Sequence, residues 1–174
     1  MSGPRPRPDV ALVPLGLEHA ARMNVWMADP EIRDNVGVRA DPSLERTEAW
    51  IRAALVDESR AAFAIVAGGE HAGNVVLDQI DTHLGTARLS IYVGAAARGA
   101  GVGEAATRLA VDYAFQALGL YKVWLTVHAE NSRARATYER IGFRVEGILR
   151  GEFLLAGRRV DAVRMGLTAV DLVP

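Results

Sequence analysis

Apolar and polar positions recur along the chain in two rhythms, and the points where the rhythm changes mark its elements. Val10 to Pro14 reads as a first strand, and Leu17 to Met27 as a helix that stops before the turn signal Asp29-Pro30. Asp41-Pro42-Ser43 opens a second helix, in which Trp50 with Ala54 and Ile51 with Leu55 recur at spacing four and fall on one side. Three strands follow: Phe63 to Ala67, His71 to Leu77 after the turn Gly68-Gly69-Glu70, and Leu89 to Val93 after a turn over Thr82 to Thr86. Turns this short make the three an antiparallel meander. Val102, Ala106, Leu109, Tyr113 and Ala117 then trace one face of an amphipathic helix, ended by Gly119. Val123 to Val127 is an apolar strand, and Ser132 to Ile141 is a helix stopped by Gly142. Arg144 to Leu155 and Arg159 to Leu167 form a hairpin about Ala156-Gly157.

The order is therefore β-α-α-β-β-β-α-β-α-β-β. It predicts an α/β chain of the α+β kind, with a mixed sheet that is mostly antiparallel. The central strand, crossover helix and strand require a parallel pair inside it. A length of 174 residues fits one domain over 10–174, preceded by a loose tail, 1–9, rich in proline and arginine.

Composition removes several classes of function. The net charge is −1, with no block of either sign, so nothing steers the chain toward nucleic acid or an anionic membrane. No apolar run approaches the ~20 residues of a membrane helix. The stretch Val10 to Leu17 is short and broken by Pro14, which makes it a poor signal peptide, so the cytoplasm is the expected location. There is no cysteine, hence no disulfide, thiol nucleophile or thiolate metal site, and the four histidines show no metal spacing. No metal is expected.

Chemistry concentrates after the meander. Gly94 to Gly103 is almost all glycine and alanine, with one charge, Arg98, and it leads into a helix N-terminus. Unpaired N–H groups and the positive end of the helix dipole favour an anion there. Gly99, Gly101 and Gly103 let a phosphate approach the backbone, Ala100 adds little bulk, and Arg98 supplies a forked donor. A Walker loop is excluded, because Glu104 stands where Lys-Ser or Lys-Thr would follow the last glycine. Gly101 to Ala106 imitates the dinucleotide pattern G-x-G-x-x-A, with Glu130 beyond the next strand. In that fold, however, the first glycine follows the strand directly, whereas here Gly94 to Ala100 intervene. A coenzyme A pyrophosphate loop, Arg-Gly-x-Gly-x-Gly, fits Arg98 to Gly103. A small-residue connection that binds nothing is the fourth reading.

A second pattern decides among them. Asn131, Ala134, Tyr138, Gly142 and Phe143 fit N-x-x-A-x-x-x-Y-x-x-x-G-F. With Arg98 to Gly103 one helix and one strand earlier, this resembles the two signatures of the GCN5-related N-acetyltransferase (GNAT) superfamily over nearly the whole chain. Asn24-Val25-Trp26, Asp29-Pro30-Glu31, Trp50-Ile51, Gly157-Arg158, Val160-Asp161 and Met165 resemble its ribosomal-protein N-terminal acetyltransferase branch. That branch also holds enzymes for amino sugars, polyamines and antibiotics.

The resemblance implies acetyl-CoA as cosubstrate, direct transfer to a primary amine, and two parallel strands splayed to admit the pantetheine. It assigns the donor site to Ile91, Tyr92 and Val93, to Arg98, Gly99, Ala100, Gly101, Val102, Gly103 and Glu104, and to Asn131, Ala134 and Tyr138. Tyr138 is the implied proton donor to the departing thiolate. A primary amine of pKa about 10 costs about 4–5 kcal/mol to deprotonate at pH 7, so a base is needed. Many relatives carry a glutamate early in the fourth strand, where this chain has Arg88, Leu89 and Ser90. Asp78 and His128, at the ends of neighbouring strands, are the two substitutes. A turn cap and a solvated strand end are their bland alternatives. Asn24 and Trp26 are the acceptor-side expectation, with core packing as the alternative for the tryptophan. The acceptor stays open between a small-molecule amine and a protein N-terminus, and a homodimer is expected by analogy. Two other classes remain: a non-catalytic acyl-CoA-binding domain and a dinucleotide-binding oxidoreductase domain.

Overall fold

A computed structural model describes residues 8–172, so the proline- and arginine-rich residues 1–7 lie outside it. Its elements are β1 (Val10–Pro14), α1 (Ala20–Met27), α2 (Pro30–Val36), α3 (Leu44–Val56), β2 (Ala61–Ala67), β3 (Glu70–Asp81) and β4 (Thr86–Val93). Then follow α4 (Val102–Asp112), β5 (Lys122–His128), α5 (Ser132–Ile141), β6 (Arg144–Leu155) and β7 (Arg158–Thr168). The strands form one sheet in the order β1-β2-β3-β4-β5-β7-β6. Every neighbouring pair is antiparallel except β4 with β5. This is the expected mixed sheet, with the crossover through α4 supplying the parallel pair. The sheet takes hold just before β1, where the Asp9 carbonyl accepts from the Gly68 N–H.

One helix departs from the expected order. Asp29-Pro30 ends α1 but also starts α2: the Asp29 side chain accepts from the Glu31 N–H at 2.9 Å, and Pro30 fills the first helical position. The dipeptide is a turn signal and a helix-start signal at once, because a proline at that position gives up an N–H that has no partner anyway. In α3, Ser43 caps the N-terminus as expected, while only Ile51 and Ala54 are buried; Trp50 and Leu55 are exposed. The buried stripe therefore follows a spacing of three, and the spacing-four pairs straddle it. The long amphipathic helix after the glycine loop is α4 as far as Asp112 and then widens into a π-turn over Tyr113–Ala117.

Alternation along the strands sorts the two faces of the sheet. Ala87 and Leu89 of β4, with Val123, Leu125 and Val127 of β5, join Val102, Ala106, Ala110 and Val111 of α4 and Ile141 of α5 in the main core. A smaller core on the other face joins Met23 of α1 and Ile51 of α3 to Ala64 of β2. The helices α4 and α5 thus cover one face, and α1, α2 and α3 cover the other.

The parallel pair is short. β4 pairs with β5 only over Thr86–Arg88 against Lys122–Trp124. Beyond Arg88 the two strands part: β4 stays paired with β3 to Val93, and β5 with β7 to His128. The sheet is therefore open between them, with both flanks held rigid.

Candidate active site between the splayed strands

The gap between β4 and β5 opens into a cleft of about 1430 Å³. Its walls include Leu89 to Val93 of β4, Leu125 to His128 of β5, Ile32 and Asn35 of α2, and residues of α4 and α5. It therefore runs through the sheet from the α4/α5 face to the α2 face. Of the donor-site residues named above, Ile91, Tyr92, Val93, Arg98, Gly99, Ala100, Gly101, Gly103, Glu104, Asn131, Ala134 and Tyr138 all line it. Val102 does not: it turns into the core and is 3% exposed.

The glycine loop is built in two steps. A single helical turn, Ala95–Ala97, separates Gly94 from Arg98, which is why the loop starts too far from β4 to match a dinucleotide fold. Gly99 and Gly101 then sit at φ 85° and 82°, a left-handed backbone that other residues enter at a cost. Gly101 is the cap of α4 and offers no side chain to its first-turn amides. At Gly103 a Cβ would meet only Val93, in ordinary contact at 3.5 Å, so the protein itself does not need glycine there. The space beside it opens on the cleft.

Charges around the loop are arranged differently from expectation. Arg98 turns away from the helix end: its Nε donates to the Val93 carbonyl at 3.1 Å, and its guanidinium lies 3.9 Å from Asp29 and 3.7 Å from Glu31. Three other arginines stand on the cleft wall at this mouth, Arg108 on α4 and Arg133 and Arg140 on α5. Glu104 organises two of them, accepting from Arg108 at 3.1 Å and Arg140 at 2.9 Å. Burial alone would raise the Glu104 carboxyl, but the bonds from Arg140 and Arg108 hold it below its ordinary range. Sequence reasoning missed these arginines. Arg133, Thr137 and Arg140 recur at helical spacing on α5, but a charged stripe on a helix looks the same when it faces only water.

On the same side, α5 presents its signature. Asn131 is the cap of α5, accepting from the Ala134 N–H at 3.0 Å, so its side chain is committed to the helix end. One turn on, small Ala134 leaves the wall open. Tyr138 packs edge-on against Phe143 with ring centres 5.8 Å apart, and burial pushes its hydroxyl up to about 12. It is a phenol, not a phenolate, at any physiological pH.

Two sequence expectations are corrected by the fold. Asp78 does not reach the cleft as a free base. It faces Arg88 across β3 and β4, and Arg88 grips both its oxygens at 2.7 and 2.6 Å. Both carboxylate oxygens are thus taken up in charge-assisted hydrogen bonds. Asn24 and Trp26 are not among the residues lining the cleft. Trp26 stacks edge-on against His71 and Tyr92, and its ring fills the place where a Cβ on Gly94 would stand. Behind it, Tyr92 donates to Asn74 at 2.8 Å, and Asn74 donates to the Phe63 carbonyl. Trp26 therefore braces the far end of β4.

His128 lies on the cleft wall. It ends β5 on the α2 face and also lines a side recess of about 390 Å³ bounded by Glu31, Asp34 and Glu130. Glu130 is held below its ordinary range by a two-fold bond from Arg158. Arginines outnumber carboxylates at the α4/α5 mouth, where Glu104 pairs with two of the three, and carboxylates outnumber arginines at the α2 recess, where Arg98 lies beside Glu31 and Arg158 pairs with Glu130.

Among the described residues no group of three or more His, Cys, Asp or Glu side chains stands close enough to hold a metal, and no helix is long and apolar enough to cross a membrane.

Comparison with known proteins agrees with this architecture. The sequence model of the Acetyltransferase (GNAT) domain matches residues 9–144. Spermidine N(1)-acetyltransferase of Escherichia coli K12 is 38% identical over 109 residues, which are 63% of this chain and 59% of that protein's length. The Vibrio cholerae enzyme of the same name is 37% identical over 93 residues, 53% of this chain and 54% of that protein. The crystal structure of spermidine N-acetyltransferase from Vibrio cholerae with CoA and spermine superposes with a TM-score of 0.88 at 25% identity, covering 93% of this chain and 96% of that one. A family match over most of the chain, on a fold split at the expected strand pair and carrying both signature segments on one cleft, places this protein in the GNAT acetyltransferase family.

Proposed function

We propose that this chain transfers an acetyl group from acetyl-CoA to a primary amine of a polyamine-type cation. The observation that carries it is the cleft through the sheet with mouths of opposite net sign. An anionic donor and a cationic acceptor enter such a cleft from opposite faces and meet where β4 and β5 part. The polyamine acceptor of the Escherichia coli and Vibrio cholerae relatives supports the same assignment.

The residues fit the donor. The α4 N-terminus with Gly99, Gly101 and Gly103 has room and N–H groups for the pyrophosphate. Arg108, Arg133 and Arg140 add positive charge beside it. The pantetheine follows the unpaired edge of β4, where backbone N–H groups near Ile91 to Val93 polarise the thioester carbonyl. The amine attacks from the α2 face, the C–N bond forms as the C–S bond breaks, and Tyr138 donates to the leaving sulfur. A phenol at about 12 does not give its proton outright to a thiolate whose conjugate acid is near ~8.5. It stabilises the charge by hydrogen bonding while the proton is exchanged. This role for Tyr138 also weighs against a domain that only binds acyl-CoA.

The site acts in a self-associated enzyme. A dodecameric Vibrio cholerae relative supports this, and β6 gives this chain an edge strand with exposed Val145, Ile148 and Leu154. Light scattering on the purified protein checks it, and a strictly monomeric mass would contradict it.

The functional test is CoA release with spermidine, spermine, a monoamine, an amino sugar and a peptide with a free α-amine, with product mass measured. Turnover highest for the polyamines is expected. Turnover of the peptide alone would overturn the acceptor assignment, and no turnover with any amine would overturn the enzyme.

A further inference from the structure

We propose that His128 takes the proton from the acceptor's ammonium, its imidazole standing on the acceptor side of the gap opposite Tyr138 on the donor side. The inference rests on the acyltransferase reading above and adds the group that makes the amine nucleophilic.

Strand geometry puts the two on opposite faces. Along β5, Val123, Leu125 and Val127 point into the core under α4 and α5, so Trp124, Thr126 and His128 point to the α2 face. Tyr138 belongs to α5 and packs with the α4/α5 core. Both line the cleft, one from each side of the sheet. His128 is also common to the cleft and to the acidic recess, where a bound cation would pass.

Its own surroundings leave one ring nitrogen without a partner. The Nε2 atom is shielded from water and has no hydrogen-bond partner among the described residues. Phe153 of β6 covers the ring edge-on at 4.2 Å. Burial lowers the imidazole's pKa, opposed by Asp34 on α2 and by Glu130 just past β5; the β6 neighbour, Phe153, is uncharged. The ring is therefore neutral at pH 7 and holds a lone pair. Asp34 bounds the side recess but does not line the cleft, and the other groups that could serve are committed or on the wrong face. Asp78 is gripped by Arg88, and Glu104 by Arg108 and Arg140 at the donor mouth. Glu130 is paired with Arg158, and Glu31 lies beside Arg98. His19 and His71 stack on one another beside Trp26, away from the cleft.

The protons balance. The ammonium gives one to His128, and the neutral amine attacks the acetyl carbon. The second passes from the nitrogen to the sulfur as the tetrahedral adduct collapses and the C–S bond breaks, so CoA leaves as the thiol, and His128 releases the first to solvent. The net products are the amide, CoA thiol and one proton released to solvent.

The test is kcat and KM of wild type and His128→Gln against pH, with a monoamine and spermidine as acceptors. Glutamine keeps a polar side chain of similar reach without a titratable nitrogen. For wild type, kcat/KM for the amine is expected to rise through an acid limb centred below about pH 6.5 and then level off. His128→Gln is expected to lose about 10²-fold or more at pH 7. It should lack that limb, climb with pH toward the amine's own pKa of about 10, and keep its KM for acetyl-CoA within about two-fold. A loss caused only by disturbed packing would not be regained at high pH, and that result would overturn the proposal. So would a variant that keeps a third or more of the wild-type rate, or keeps the acid limb. A wild type silent with every amine sinks the acyltransferase reading and this role with it. An active wild type beside an equally active variant sinks the role of His128 alone.

Discussion

Tyr138 keeps its proton, and that decides how it can help. With its hydroxyl near 12, it would meet the sulfur of the proposed reaction as a neutral hydrogen-bond donor. Tyr138→Phe removes that donor and leaves the ring contact with Phe143 in place. We expect kcat to fall about 10²-fold or more while KM for acetyl-CoA moves less than about three-fold. Steady-state kinetics at fixed amine check this, and an unchanged kcat would take Tyr138 out of the chemistry. Asn131 makes the opposite case. Its side chain spends its acceptor on the Ala134 N–H, so Asn131→Ala should cost about 1 kcal/mol of stability in urea denaturation. The acetyl-CoA affinity should change little. An affinity loss with unchanged stability would show that Asn131 contacts the ligand.

Elements differ in how well sequence announces them. α4 and α5 are legible because apolar spacing, glycine stops and signature residues agree, and the loop before α4 is legible from its glycines alone. What is not legible needs partners from distant chain segments. Asp78 and Arg88 meet only through the register of β3 with β4, so the carboxylate looks free in sequence and is bound in the fold. Trp26 looks like an acceptor wall until Gly94, Tyr92 and His71 are seen to enclose it. α2 is lost because Asp29-Pro30 carries two meanings, and only the partner of the Asp29 side chain tells them apart. At the α4 loop a direct check is available. Gly103→Ala adds a Cβ that meets only Val93, in ordinary contact, so the protein should fold with a thermal midpoint close to wild type. Its side chain enters the space kept for phosphate, and acetyl-CoA affinity by calorimetry should weaken about ten-fold or more, since each 1.4 kcal/mol of lost contact is ten-fold. Unaltered affinity would move the pyrophosphate elsewhere.

At the scale of the whole molecule the near-zero net charge conceals a polarised interior passage. Arg108, Arg133 and Arg140 outnumber Glu104 at one opening, and Glu31, Asp34 and Glu130 outnumber Arg98 and Arg158 at the other. Screening lengths shrink from about 10 Å at 0.1 M salt to about 3 Å at 1 M. Raising salt from about 0.05 to about 0.5 M should therefore raise KM for spermine several-fold more than KM for a monoamine. Equal shifts would mean that the remote amines of the longer cation never reach the carboxylates. The parting of β4 from β5 has a different kind of consequence. The groups it leaves bare belong to the peptide chain, which every sequence possesses. A family built on this opening can rewrite the side chains of the acceptor wall without forfeiting its grip on the donor. It follows that alanine scanning of β4 would underestimate that strand. Replacing a single amide of the Ile91–Val93 stretch by an ester, which deletes one N–H and keeps every side chain, is the perturbation to which donor binding should respond.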